Sequence, residues 1–153
     1  EISIIDESQS SIYGGIAFDK KRNLIYAIKP TEKIMSIYEI DNKKTKLIKL
    51  IPILYVGNNI YYDIKEDKIY IGINGKKSEE ESIILKLKQN KNLEKIESFS
   101  GYIILNPNNN YTIDDVMFMK NNNFKWINSA VEIKRKIYMS SIYSKGIFIS
   151  NKN

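Results

Sequence analysis

The chain contains an internal repeat, and this repeat limits the folds that it can adopt. Residues 16–27 align with residues 60–71 without a gap, at a constant distance of 44 positions, which places Asp63 in the position of Asp19. A third, less exact copy spans 131–139. A repeat of this length corresponds to one supersecondary unit that buries its apolar face against its neighbours. We therefore expect similar units stacked along a shared core.

Each unit has the sequence pattern of β-strands. Short runs rich in Ile, Tyr, Phe and Val alternate with polar turns of two to five residues. The turns at 20–23, 41–44 and 73–76 contain the Asn, Asp or Gly residues that tight hairpins require. Acidic residues open the segment 79–87 and would also suit a helix N-terminus, but the repeat favours a strand there. The pattern predicts tandem four-stranded antiparallel meanders.

The spacing of the copies predicts the boundaries of the units. A single all-β domain would hold units at about 14–57, 58–100 and 116–153. The second and third copies are 68 positions apart, so a polar insertion is expected at about 101–115. The alternative is a degenerate extra hairpin that begins at Val116.

Several short motifs are arranged as in known families of β-propeller blades. They are Ile37-Tyr38-Glu39-Ile40-Asp41, Lys49-Leu50-Ile51-Pro52, Ile60-Tyr61-Tyr62-Asp63 and Lys68-Ile69-Tyr70-Ile71. Together they resemble a YVTN-type repeat. Residues 14–19, Gly-Gly-Ile-Ala-Phe-Asp, resemble the start of an NHL or gluconolactonase-type blade.

The resemblance implies four-stranded propeller blades, and the unit length agrees with one blade. The chain is long enough for three to four blades, whereas closed propellers typically have about four to eight. We therefore expect a partial propeller, or one that self-association with a second copy completes. A small β-sandwich built from the same meanders is the alternative.

Two residue types that carry much enzyme chemistry are missing. The sequence has no His and no Cys, which excludes a Ser-His-Asp triad, thiol catalysis, disulfides and the usual zinc sites. It also has no glycine-rich phosphate loop, and no apolar run is long enough for a transmembrane helix. We expect no cofactor and no transmembrane segment.

The hairpin turns carry most of the candidate ligand-binding residues. The net charge is +6, and equivalent turns of stacked units should lie on one face, which would then be basic and attract polyanions. The candidate residues are Lys20, Lys21, Arg22, Lys65, Lys68, Lys134, Arg135 and Lys136. The turns contain no interleaved aromatic residues, and Lys far outnumbers Arg, as an AT-rich genome produces, so nucleic acid is disfavoured as the ligand.

Two pairs of carboxylates are candidate ligands of a divalent cation. Asp19 and Asp63 end equivalent strands, where an Asp can accept hydrogen bonds from the turn that follows; the gluconolactonase resemblance would instead place such acids around a Ca²⁺ or Mg²⁺ ion. Asp114 and Asp115 follow an Asn-rich loop, where ordinary loop acids are favoured over ligands of a divalent cation, and we expect no metal site.

These observations favour a non-catalytic binding module, exported or at the cell surface, that uses a propeller face to hold a protein or polymeric ligand. Two alternatives remain open at this point. One is a lactonase- or hydrolase-type propeller enzyme whose active residues lie partly outside this chain. The other is polyanion binding through the basic turns.

Overall fold

The computed structural model describes residues 13–41, 44–75, 100–119, 126–142 and 144–151, and this part of the chain is all-β. One short 3-10 helix, Pro107–Asn109, accompanies the strands. The strands are β1 (Ile16–Asp19), β2 (Leu24–Lys29), β3 (Ile34–Asp41), β4 (Lys44–Pro52), β5 (Val56–Asp63), β6 (Lys68–Asn74), β7 (Ser100–Asn106), β8 (Thr112–Met119), β9 (Ile127–Ile133), β10 (Lys136–Ser141) and β11 (Ile147–Asn151).

The strands form three antiparallel sheets that follow the chain in order. The first sheet has the order β1-β2-β3-β4, the second β5-β6-β7-β8 and the third β9-β10-β11. Within each sheet, every strand pairs with its neighbour in sequence. The expectation of an all-β chain built from tandem antiparallel meanders is therefore confirmed. In the described residues the third meander has three strands rather than four.

The 44-residue repeat is reproduced in the hairpins of the first two sheets. Asp19 and Asp63 each accept hydrogen bonds from the backbone N–H groups two and three residues later, as expected for an Asp that caps a turn. Asn23 and Asp67 end these turns with positive φ angles of 56° and 53°, a conformation that Asn and Asp tolerate. The third hairpin is shorter, and both of its turn residues, at 134–135, have positive φ as a type I′ turn requires.

The three sheets stack face to face with the second sheet in the middle. In β6 and β7, one set of alternate side chains packs against the first sheet, and the intervening set packs against the third. The first set includes Ile69, Ile71, Ile103 and Leu105, and the second includes Tyr70, Tyr102 and Ile104. Because a strand that is buried on both faces needs apolar residues at every position, these two strands read as continuous apolar runs.

Two strands lie where the sequence predicted a polar insertion at about 101–115. Ser100–Asn106 is β7, which pairs with β6, and Thr112–Met119 is β8, which pairs with β7. Residues 120–125 of the alternative extra hairpin lie outside the described residues. The four strands of the second sheet thus lie between residues 56 and 119. The run Ile103-Ile104-Leu105 is buried on both faces, and this doubly buried pattern lacks the alternation by which a half-buried strand is recognised. The strand expected within 79–87 lies outside the described residues.

The stack is open at both ends. Among the described residues the first and third sheets each have one face without a further sheet, so the structure shows three stacked sheets and no closed ring. In the same part of the chain, no helix is long and apolar enough to cross a membrane.

Candidate binding face at the strand turns

The hairpin turns of adjacent sheets meet on one side of the stack. Arg22, in the turn between β1 and β2, contacts Asp67, in the turn between β5 and β6, and Asn108, between β7 and β8. The third hairpin turn, 134–135, adjoins the second across a shared groove. We call the surface formed by residues 20–23, 64–67, 107–111 and 134–135 the turn face.

A hydrogen-bonded cluster fastens the first sheet to the second at the turn face. Arg22 donates to Asp19 at 2.6 Å and to both carboxylate oxygens of Asp67 at 2.8 and 2.9 Å. The Tyr26 hydroxyl donates to Asp19 at 2.6 Å, and the Tyr62 hydroxyl donates to Asp67 at 2.8 Å. These five residues form the first joint, in which the fully buried Asp19 is paired with a cation as buried carboxylates require.

The electrostatics of the first joint keep its ions charged and its phenols neutral. Hydrogen bonds from Arg22 hold the pKa of Asp67 well below its usual range, and hydrogen bonding to Asp67 raises the pKa of Arg22. Burial raises the pKa of Asp19, but hydrogen bonds from Tyr26 and Arg22 outweigh it and the net pKa is lowered. Burial also raises the pKa of Tyr26. Because the charged and hydrogen-bonding groups of the first joint are paired with one another, the first joint holds the first two sheets together.

The corresponding place between the second and third sheets is an open groove. This second joint has a volume of about 640 Å³ and lies at the turn face. Glu132, which lines the groove, accepts a hydrogen bond of 3.0 Å from the Tyr70 hydroxyl. The lining residues are Asp63, Lys65, Glu66, Glu132, Ile133, Lys134 and Arg135.

At equivalent positions of the repeat, the two joints carry residues of opposite charge. Glu66 takes the place in the second turn that Arg22 takes in the first, 44 positions earlier. Arg135 precedes β10 in the place where Asp67 precedes β6. In the first joint the Arg and the Asp are bonded, whereas no ion pair found in the described residues joins Glu66 to Arg135.

The eight basic candidates fall into two groups in the structure. Arg22 is bound in the first joint, the Lys21 ammonium lies 3.6 Å from a carboxylate oxygen of Asp67, and Lys68 pairs with Asp114. The others are exposed on the turn face or at the start of β10: Lys20, Lys65, Lys134, Arg135 and Lys136. Only Lys65, Lys134 and Arg135 of the eight come together in the groove.

The acidic residues of the groove were not anticipated from the sequence. Asp63, Glu66 and Glu132 line it beside the three basic residues, so this part of the turn face is mixed in charge rather than uniformly basic. The alternating signs of Lys65-Glu66-Asp67-Lys68 were a signal of this for the second turn. No such signal marks Glu132, because its place depends on how β9 packs beside β6.

The other candidate carboxylates have protein partners. Asp114 accepts from Lys68 and from the Asn106 amide, and Asp115 accepts from the Tyr102 hydroxyl at 3.2 Å. Burial, together with Asp115, raises the pKa of Tyr102 to about 12. Within the described ranges, no three acidic side chains are close enough together to hold a metal ion.

No known protein-family model matches the chain, and no curated protein is significantly similar to it in sequence.

Proposed function

We propose that the chain is a non-catalytic binding module that holds a protein ligand at the turn face, with its sheets arranged as β-propeller blades. The observation that carries the proposal is the groove of the second joint, which two different sheets line with opposed charges. Grooves at the contact of two packed units are common places for ligands to bind.

The packing of the sheets supports the propeller arrangement. The first strand of the second sheet, β5, contacts β1 and β2, and the first strand of the third sheet, β9, contacts β5 and β6. The same contact is thus repeated from one sheet to the next, as it is between blades around a propeller. A two-layer sandwich has only one such contact between its sheets. The YVTN-type and NHL-type motifs agree with this reading.

The mixed charge of the groove favours a protein segment over a polyanion. A polyanion would meet Asp63, Glu66 and Glu132 along with the basic residues, and like charges that face each other across an interface are costly. A peptide with both acidic and basic side chains can pair with both sets. Its charged groups would also fix its register in the groove.

Selection from a random peptide library on phage, with the immobilised chain as target, tests the proposal. We expect enriched peptides that carry both charges, and we expect Arg135→Glu to weaken their binding by about tenfold or more, as the loss of one charge pair does. Lys20→Glu is the matched control, because Lys20 is also exposed on the turn face but does not line the groove.

The absence of enrichment, or equal affinity of the Arg135→Glu variant, would refute the proposal. Heparin provides a separate measurement for the polyanion alternative. If heparin binds tightly at ~50 mM salt, is lost by ~200 mM and is weakened equally by Lys20→Glu, the basic turns rather than the groove form the site.

A further inference from the structure

The face of the first sheet that no other sheet of the described residues covers carries an apolar row that crosses all four strands. Phe18 pairs with Ile25, Ile25 with Tyr38 and Tyr38 with Leu47. Tyr38 is buried and its hydroxyl is hydrogen-bonded to that of Tyr13. Phe18 is 51% exposed and Leu47 is 44% exposed. We call this surface, which also includes Ile16 and Ile40, the first end face.

The equivalent row of the second sheet shows what such a surface packs against. Tyr62 lies opposite Ile69, and Ile69 lies opposite Leu105. All three are buried in the core between the first two sheets. Phe18 and Ile25 correspond to Tyr62 and Ile69 at the distance of 44 positions. In the second sheet, the face equivalent to the first end face is covered by the first sheet. The first end face is therefore the face on which a preceding sheet would pack.

The outer face of the third sheet corresponds to the face of the first sheet that packs on the second sheet. Tyr138 occupies the position of Tyr26 in the first sheet and of Tyr70 in the second. Tyr26 packs edge-on against Tyr62, with ring centroids 6.0 Å apart, and Tyr70 bonds to Glu132. Each of these tyrosines thus contacts the first strand of the next sheet.

The surface around Tyr138 is apolar and lacks a next sheet in the described residues. Tyr138 lies opposite Val131 and Ile149, and Ile147 lies opposite Ser140 on the same side. Ile147 is 69% exposed and Ile149 is 52% exposed. We call the surface of Val131, Tyr138, Ile147 and Ile149 the second end face.

We infer that two copies of this chain associate head to tail, with the second end face of each copy packed on the first end face of the other. The repeat points to this occupant, because the two end faces match the two surfaces that adjoining sheets of this chain pack against each other. Within one copy, the first strand of each later sheet contacts the first two strands of the preceding sheet. In the same arrangement, β1 of one copy lies on β9 and β10 of the other. Tyr138 of one copy then contacts Phe18 of the other, as Tyr26 contacts Tyr62 within one copy.

A pair of copies accounts for both free faces. A head-to-tail contact is heterologous, so it either closes into a ring or continues as a filament. Closed propellers typically have about four to eight blades, and the described residues of two copies supply six sheets. Three sheets are too few for this range and nine are too many. The number of copies in the ring rests on the proposed propeller arrangement, whereas the contact itself rests on the repeat.

Light scattering on the purified chain, over a range of concentrations, tests the association. We expect twice the single-chain mass of 17.8 kDa. Phe18→Asp and Ile149→Asp should each reduce the mass to that of one chain, because each places a charge in the contact. Leu54→Asp is the control, since Leu54 is 66% exposed in the segment between β4 and β5 and should leave the dimer intact.

Mixing the two variants tests the head-to-tail geometry. Phe18→Asp leaves the second end face intact and Ile149→Asp leaves the first intact, so the mixture regains one unaltered contact and should form dimers that neither variant forms alone. Circular dichroism of each variant checks that the sheets remain folded. A single-chain mass for the unaltered protein would overturn the inference, as would a dimer that only one of the two substitutions disrupts.

The association and the proposed binding function can fail separately. The groove of the second joint lies within one copy, so a monomeric Phe18→Asp variant should bind selected peptides as tightly as the unaltered chain. Dimers without peptide binding would refute only the proposed function. Peptide binding by a chain that stays monomeric would refute only the association.

Discussion

Arg22 joins the first and second sheets by donating parallel hydrogen bonds of 2.9 and 2.8 Å to the two carboxylate oxygens of Asp67. The repeat places Glu66 and Arg135 in the corresponding positions of the next joint, where they line a groove instead. At this position of the repeat, Arg22 therefore joins two sheets in the first joint, whereas Glu66 is exposed to solvent in the second. We therefore expect substitutions in the first joint to change stability and substitutions in the second to change binding.

Removal of the Arg22 side chain should destabilise the fold strongly. Arg22→Ala leaves Asp19, which is fully buried, and Asp67 without their shared cation. Breaking a buried pair by removing one partner leaves an uncompensated charge, and we expect a loss of about 2–4 kcal/mol in the free energy of unfolding. Urea denaturation, with the midpoint and slope fitted separately, measures this loss.

Two further substitutions in the same turn separate the effect of the Arg22 charge on stability from the effect of its hydrogen-bond geometry. Arg22→Lys keeps the charge but cannot donate the two parallel bonds to Asp67, so its stability should lie between those of the Ala variant and the unaltered chain. Lys20→Ala removes an exposed cation and should change stability by no more than about 0.5 kcal/mol. Equal stability of all three variants would mean that the first joint does not hold the sheets together.

The same cluster predicts a loss of stability in acid. The pKa values of Asp19 and Asp67 are lowered in the folded chain, whereas an Asp in the unfolded chain titrates near ~3.9. The unfolded chain therefore takes up protons first as the pH falls. The contribution of both carboxylates is fully present above about pH 5 and is lost progressively as the pH falls below ~4 toward the folded values.

Thermal unfolding followed between neutral and strongly acidic pH measures this effect. The melting temperature of the unaltered chain should fall as the pH drops below the unfolded value. Arg22→Ala should show a smaller dependence over the same range, because the Asp pKa values return toward normal without the cation. An unchanged pH dependence in this variant would contradict the assignment of the shifts to Arg22.

The repeat made the fold class and the two longer hairpins predictable. Asp19 and Asp63 cap their turns as expected, because this interaction depends only on the residues that directly follow them. β7 was missed because it is buried on both faces, and a continuous apolar run in a chain of otherwise half-buried strands does not show the strand period.

The turn face was predictable only in part. Local spacing placed the basic residues in turns, and stacking brings three of them into the groove. Local spacing did not indicate that Arg22 would bind Asp67, 45 positions away, or that Glu132 would lie beside the second turn. Both relationships depend on how one sheet packs against the next, which a reading of local patterns does not contain.

A glycine sets the distance between the second and third sheets. A Cβ atom at Gly72 would lie 2.6 Å from the carbonyl oxygen of Asn128 in β9. That neighbour is backbone and cannot move without shifting the strand. We expect Gly72→Ala to cost about 1–3 kcal/mol in the free energy of unfolding, the usual range for an overpacked core.

Gly146 provides a contrast for this prediction. Nothing lies within 4 Å of a Cβ atom there, although its φ of +97° disfavours a side chain. Gly146→Ala therefore meets backbone strain alone and should cost less than Gly72→Ala. Urea denaturation of both variants makes the comparison, and an equal or larger cost at Gly146 would show that the close approach of β9 is not limiting.

Exchanging the charges of the second joint should give it the arrangement of the first. Glu66→Arg with Arg135→Asp places an Arg on the earlier turn and an Asp on the later one, as Arg22 and Asp67 are placed in the first joint. We expect the new pair to form across the groove and to raise stability by up to about 1 kcal/mol, the range for a pair that is largely exposed. Peptides selected on the unaltered chain should no longer bind.

The single variants distinguish closure of the groove from a simple change of charge. Glu66→Arg alone sets two cations against each other, and Arg135→Asp alone adds a carboxylate to three others in the groove, so each should weaken peptide binding and lower stability slightly. The double variant should recover the stability but not the binding. Because the new pair would occupy the space that the peptide needs, recovery of both properties would show that the ligand does not enter the groove.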